Sequence, residues 1–190
     1  MLSLEALDTR RSVPTRQLAE PGPDAATLQR MLASVVRVPD HGKRVPFRLL
    51  RIQGDARTAL ADAAEAHQRE REPETGDAAI SKLRTRFTAP PLTIAVIAKL
   101  GFDEKIPISE RAATASCVCL LLLQTAQAEG FGAQWLTGWP AYDRRFLASV
   151  LGLTEDEQLT GTIAIGTPQV VAPERERPDV ADVLSDWQPK

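Results

Sequence analysis

The apolar residues change their period several times along the chain, and each change marks an element. Leu4 and Leu7 lie one helical turn apart, just before Arg10-Arg11-Ser12. After Pro21 and Pro23, Asp24 is placed to cap a helix whose Leu28, Met31, Leu32, Val35 and Val36 fall at i, i+3, i+4, i+7 and i+8. Pro39 disfavours helical geometry in the residue before it, so this helix should stop by Val38. Phe47 to Ile52 reads as a strand. Asp55 opens an alanine-rich helix running toward Glu72, with His67 expected at its solvent edge. Asp77 opens another, with Ile80, Leu83 and Phe87 on one side.

Pro90-Pro91 blocks further helix, and Leu92 to Ala98 is apolar enough for a central strand buried on both faces. Ser109 to Glu129 is the longest helical pattern. It is rich in small residues at first and then apolar without interruption from Cys117 to Leu123. A helix apolar all round must be covered on every side, and one sheet covers one side. Either a large core or a second copy of the chain covers the rest. Gly130 ends this helix, a strand follows from Phe131 to Thr137, and Phe146, Leu147, Val150 and Leu151 form a last amphipathic helix stopped by Gly152. Leu159 to Ile165 is a strand, and Gly166-Thr167-Pro168 is expected to turn.

Composition narrows the chemistry. The 190 residues suffice for one domain with a sizeable core, without internal repeats. Lys+Arg 23 against Asp+Glu 25 gives a net charge of -2, which argues against a general nucleic-acid binder. Cys117 to Leu123 is too short to span a bilayer. Glu5 and Asp8 stand where a signal peptide needs positive charge, so a cytoplasmic location is expected. Cys117 and Cys119 lack a zinc spacing and read as two buried, reduced thiols; with only His41 and His67 present, no metal site is expected. There is no G-x-S-x-G elbow, no Walker A loop and no G-x-G-x-x-G fingerprint. An enzyme so poor in reactive side chains would depend on a bound cofactor for its reactive atom.

Two cation-rich stretches remain. Arg10-Arg11-Ser12 sets two guanidinium forks and a hydroxyl on a turn, a combination suited to a phosphate monoester, although a surface turn uses the same residues. Arg37 to Arg48 is a polar loop holding His41 and four cationic side chains, which by itself reads first as a solvated connection.

Together these stretches resemble the FMN-dependent nitroreductase family, especially its short single-domain bacterial NAD(P)H nitroreductase branch. There a helix leads into Arg-Arg-Ser, and a loop of the type Arg-x-Pro-(Ser/Asp)-His-x-x-x-x-Pro-(Trp/Phe)-Arg follows. This chain matches at Arg37, Pro39, Asp40, His41, Pro46, Phe47 and Arg48, with Val45 where Gln is common. It also matches the family's G-F-G-x-x-W-R-S-G at Gly130, Phe131, Gly132, Trp135, Thr137 and Gly138, with Leu136 in place of the usual Arg.

The resemblance implies an α+β fold, a mostly antiparallel sheet flanked by helices, in a homodimer with FMN sites at its interface. It implies one domain over residues 1–190, with 168–190 a tail packing on the partner through Val183, Leu184 and Trp187. Arg10 and Ser12 would hold the phosphate, joined by Arg175 and Arg177. Arg11 and Arg37 would lie near flavin N1 and O2, His41 would reach the cofactor or pocket wall, and Trp135, Leu136 and Thr137 would border the ring. The implied activity passes a hydride from NAD(P)H through flavin N5 to a nitroaromatic, a quinone or a related small-molecule acceptor, with no catalytic side chain. Leu136 keeps open a non-catalytic FMN-holding regulatory or scaffolding dimer. Other flavin chemistry, such as reductive dehalogenation, is a third reading.

Overall fold

In a computed structural model, which describes residues 3–189, the apolar run at the middle of the chain becomes the centre of a five-stranded sheet. Strand β3 (Leu92–Lys99) is buried along all but its last residue. It pairs on one edge with β2 (Phe47–Gln53) and on the other with β5 (Glu157–Pro168). Strand β5 is long enough to pair with three others. Beyond β3 it takes β4 (Gly132–Leu136), and its end takes the two-residue β1 (Leu18–Ala19). Every ladder among the described residues is antiparallel, apart from one isolated parallel bridge between Ser12 and Ala133.

Helices cover both faces, as the continuous burial of β3 requires. On one face α2 (Ala25–Val35) and α5 (Ile108–Ala128) bury Leu28, Met31, Val35, Val118 and Leu122 against Leu92, Ile94, Val96 and Ile163. On the other, α3 (Asp55–Arg71), α4 (Asp77–Thr88) and α6 (Arg144–Leu151) bury Leu60, Phe87, Phe146 and Leu147 against Ala95, Ile97 and Leu159. The expected Asp24 cap forms, accepting from Thr27 N at 2.7 Å, and Asp143 caps α6 in the same way, accepting from Phe146 N at 2.9 Å, whereas Asp55 is the first residue of α3 and Gly54 stands at the cap position. Short helices α1 (Leu4–Asp8) and α7 (Val180–Val183) lie near the two ends of the chain.

Three expectations are corrected. Gly166-Thr167-Pro168 is not a turn: Thr167 and Pro168 continue β5 and pair with Ala19 and Leu18. A Gly-Thr-Pro string has turn chemistry, but its partner strand is supplied from the far end of the chain. His67 is not at a solvent edge. It is buried, stacked on Trp139 with ring centroids 5.4 Å apart and set edge-on to Phe146. Its Nε2 lies 3.1 Å from the Asp143 carboxylate without hydrogen-bond geometry. Only Cys119 is a buried thiol, pushed up to about 12 by that burial; Cys117 is exposed on α5.

Candidate functional site

The basic turn is fixed to the sheet by its backbone. Ser12 bridges Ala133, Val13 N donates to Ala133 O at 3.0 Å, and Thr15 N donates to the Gln134 side chain at 2.9 Å. Gly132 permits this approach, because a Cβ there would meet Leu18 at 2.9 Å and Val13 at 3.0 Å. Val13, Leu18, Ala164 and Ala172 form a small core beneath it, which also draws in the start of the C-terminal segment.

That segment returns to the turn. Glu174 pairs with Arg11, and its other oxygen lies 3.1 Å from Arg177. Arg11 also donates to Asp8 O at 2.5 Å and Arg10 O at 3.0 Å. The structure therefore brings Arg10, Arg11, Ser12 and Arg177 to one region, with a carboxylate between two of the guanidinium groups. Arg175 is exposed, and its backbone N donates to the Glu174 side chain at 2.8 Å.

Two residues beyond Ser12 begins a cavity of about 740 Å³, within the range of cofactor sites. Its walls are Pro14, Thr15 and Arg16, the α4 face carrying Lys82 and Arg86, and Gln134 and Leu136 of β4 with Gly138 and Trp139. Three cations line it and no carboxylate does. Strand alternation aims Gln134 and Leu136 into it and turns Trp135 to the opposite face. There Trp135 donates to Thr160 O at 3.3 Å and lies across Gly161, where a Cβ would meet its Nε1 at 2.1 Å. Thr137 is half-buried between Leu136 and Gly138.

Arg86 is the unusual member. Its Nε is buried without a hydrogen-bond partner, and no ion pair reaches it among the described residues. Its guanidinium stacks on Phe87, 5.6 Å from the ring centroid, and burial lowers its pKa to about 10. It remains protonated at neutral pH. Such an uncompensated charge is expensive to keep out of water.

Arg37 and His41 are not in this cavity. Both are exposed on the outward loop. The loop is pinned to the start of α5: His41 Nδ1 lies 2.6 Å from Glu110, Thr114 donates to Pro39 O at 3.2 Å, and Arg44 Nε is 2.8 Å from Asp103. Reading the sequence did not single out Arg16, Lys82, Arg86 or Gln134. The only signal was a cation, Arg86, immediately beside the apolar stripe of α4.

The antiparallel sheet with helices on both faces and this basic turn agree with one family. The profile of the Nitroreductase family matches residues 7–167. The chain belongs to the nitroreductase family. The Escherichia coli K12 protein named "Putative NAD(P)H nitroreductase YdjA" is 33% identical over 172 residues, covering 90% of this chain and 91% of YdjA. A nitroreductase-like structure from Bacillus cereus superposes with a TM-score of 0.82 at 21% identity, over 98% of this chain and 96% of that one. A Desulfovibrio desulfuricans structure named "putative nitroreductase in complex with fmn" gives 0.73 at 22% identity, over 97% of this chain and 96% of that one. The α+β nitroreductase-like fold is thus shared over nearly the whole chain.

Proposed function

We propose that the chain is an FMN-dependent oxidoreductase that takes electrons from NAD(P)H and passes them to a nitroaromatic, a quinone or a related small-molecule acceptor. The observation carrying this reading is the acid-free cavity lined by three cations that opens beside the basic turn. The residues fit the cofactor. Arg11 and Arg177 already share one carboxylate, so this cluster is suited to an oxyanion. The FMN complex of the Desulfovibrio relative and the name of YdjA support the same assignment.

Arg10, Ser12, Arg175 and Arg177 would hold the phosphate, and Arg11 belongs with them through Glu174. Leu136 and Thr137 would border the ring, while Trp135 braces β4 from the other face. When bound, FMN supplies N5, the atom through which a hydride passes from the nicotinamide to the acceptor. The chain's own work is orientation, exclusion of water and fixed positive charge. No side chain is assigned as general acid or base.

We infer a homodimer, in which the loop carrying Arg37 and His41 reaches the partner's cofactor. Its outward presentation supports this, as does the apolar tail, where Val183, Leu184 and Trp187 are exposed. Purified protein loaded with FMN should lose its yellow colour when NADH or NADPH is added without oxygen, and recover it with a quinone or nitroaromatic. Protein that takes up no FMN overturns the flavin reading. Protein that holds FMN but is bleached by neither nucleotide is a non-catalytic holder instead.

A further inference from the structure

Arg86 has no hydrogen-bond or ion-pair partner among the described residues, yet it is held at the wall of the cavity. Helix α4 presents it there because Ile80 and Phe87 are buried in the core and Leu83 packs against it, which leaves Arg86 beside the apolar stripe. Across the cavity β4 contributes no charge, since its two lining side chains are Gln134 and Leu136. Gly138, at φ +87°, leaves the space beside the guanidinium clear: a Cβ there would stand 3.3 Å from Arg86 Nη1. A half-buried cation whose Nε is cut off from water, beside open space and facing a wall without acids, is arranged to meet hydrogen-bond acceptors of whatever fills that space. Arg16 and Lys82 are exposed and can be solvated; Arg86 Nε cannot.

We propose that Arg86 is a cofactor-binding residue that donates to the polar edge of the isoalloxazine ring and stabilises its reduced, more anionic form. The assignment rests on the flavin reading above. It gives to α4 a charge that neither Arg11, engaged by Glu174, nor Arg37, on the outward loop, brings to this cavity. The unpaired guanidinium also accounts for itself energetically: its burial is costly in the apo-protein and is compensated when the ring arrives.

The test is the midpoint potential of bound FMN, read by equilibration with a reference dye, together with FMN affinity and the melting of the apo-protein. Arg86→Met should lower the reduced-to-oxidised ratio at fixed poise about tenfold, which is about 30 mV for two electrons. It should weaken FMN about tenfold and leave the apo-protein as stable as wild type or more so. Arg86→Lys should recover part of the potential. A loaded Arg86→Met protein with the wild-type potential overturns the assignment, as does an apo-protein destabilised by the change with potential intact, because that is a structural role. If Arg86→Met does not fold, neutral Arg86→Gln is read in the same way with the same two outcomes. Wild-type protein that binds no FMN removes the flavin reading itself, and this proposal with it; an unchanged potential removes Arg86 alone.

Discussion

Val45 carries clear local strain. Its φ of +47° puts a β-branched residue in the left-handed region, and Lys43 at +52° and Gly42 at +70° precede it. Asp40 holds the turn by accepting from Val45 N at 2.7 Å. The left-handed conformation costs an L-residue about 1–2 kcal/mol, and asparagine tolerates it better. The Val45 side chain is exposed, so little burial is lost by replacing it. Val45→Asn should therefore raise stability by about 1 kcal/mol in urea titrations; an unchanged or lower midpoint would mean that the strain is relieved elsewhere. Along β4, Leu136 reads as a lost positive charge, whereas in space Arg86 of helix α4 stands at the same cavity. Sequence order could not reveal that, because the two are joined only by the packing of α4 over the sheet.

At the scale of elements, what holds the outward loop is a carboxylate in the connection between β3 and α5. Asp103 accepts from Lys105 N and Ile106 N, each at 2.9 Å, and pairs with Arg44 at 2.8 Å. The two backbone donors, with Arg44 adding to them, pull its pKa down to about 2. A folded pKa below the unfolded value of about 3.9 means that the stabilisation is complete above that range and is lost as pH falls toward 2. Asp103→Asn should thus be less stable than wild type at neutral pH, with the difference closing between about pH 4 and pH 2; equal acid-unfolding curves for the two proteins would refute this. Elements with their own period were legible: β3 from its unbroken apolar run, α2 from its stripe and cap, α5 from its length. What failed depended on distant partners. The strand character of Thr167 and Pro168 needs Leu18 and Ala19, and the burial of His67 needs Trp139 and Phe146. The motif residues of the basic turn were legible as a group, but the cavity beside it was not. Arg16, Lys82, Arg86 and Gln134 have no shared spacing and meet only after the sheet forms.

At the scale of the molecule, one face remains to be covered. Helix α5 buries Val118, Cys119 and Leu122 in its own core but leaves Ala113, Cys117 and Leu120 exposed, at the i, i+4, i+7 spacing of a second stripe. Helix α1 continues that surface, tied to α5 where Gln127 donates to Ala6 O at 2.8 Å, with Leu4 exposed beside it. The C-terminal segment carries its own exposed apolar set in Val180, Val183, Leu184 and Trp187. Two such surfaces on one chain would satisfy each other in a two-fold pair in which each copy lent its tail to the other, and closed pairing of this kind is the commonest oligomeric arrangement. The chain should therefore sediment as a dimer of 20.7 kDa subunits. Trp187, 83% exposed in the single chain, should emit as a buried indole in that dimer. Leu120→Arg places a charge on the stripe without touching the core, so it should yield a folded monomer with red-shifted Trp187 emission and weakened FMN binding. A wild-type protein that is monomeric and binds FMN fully would show that the cavity of one chain is complete by itself, and that α5 and the tail serve another purpose.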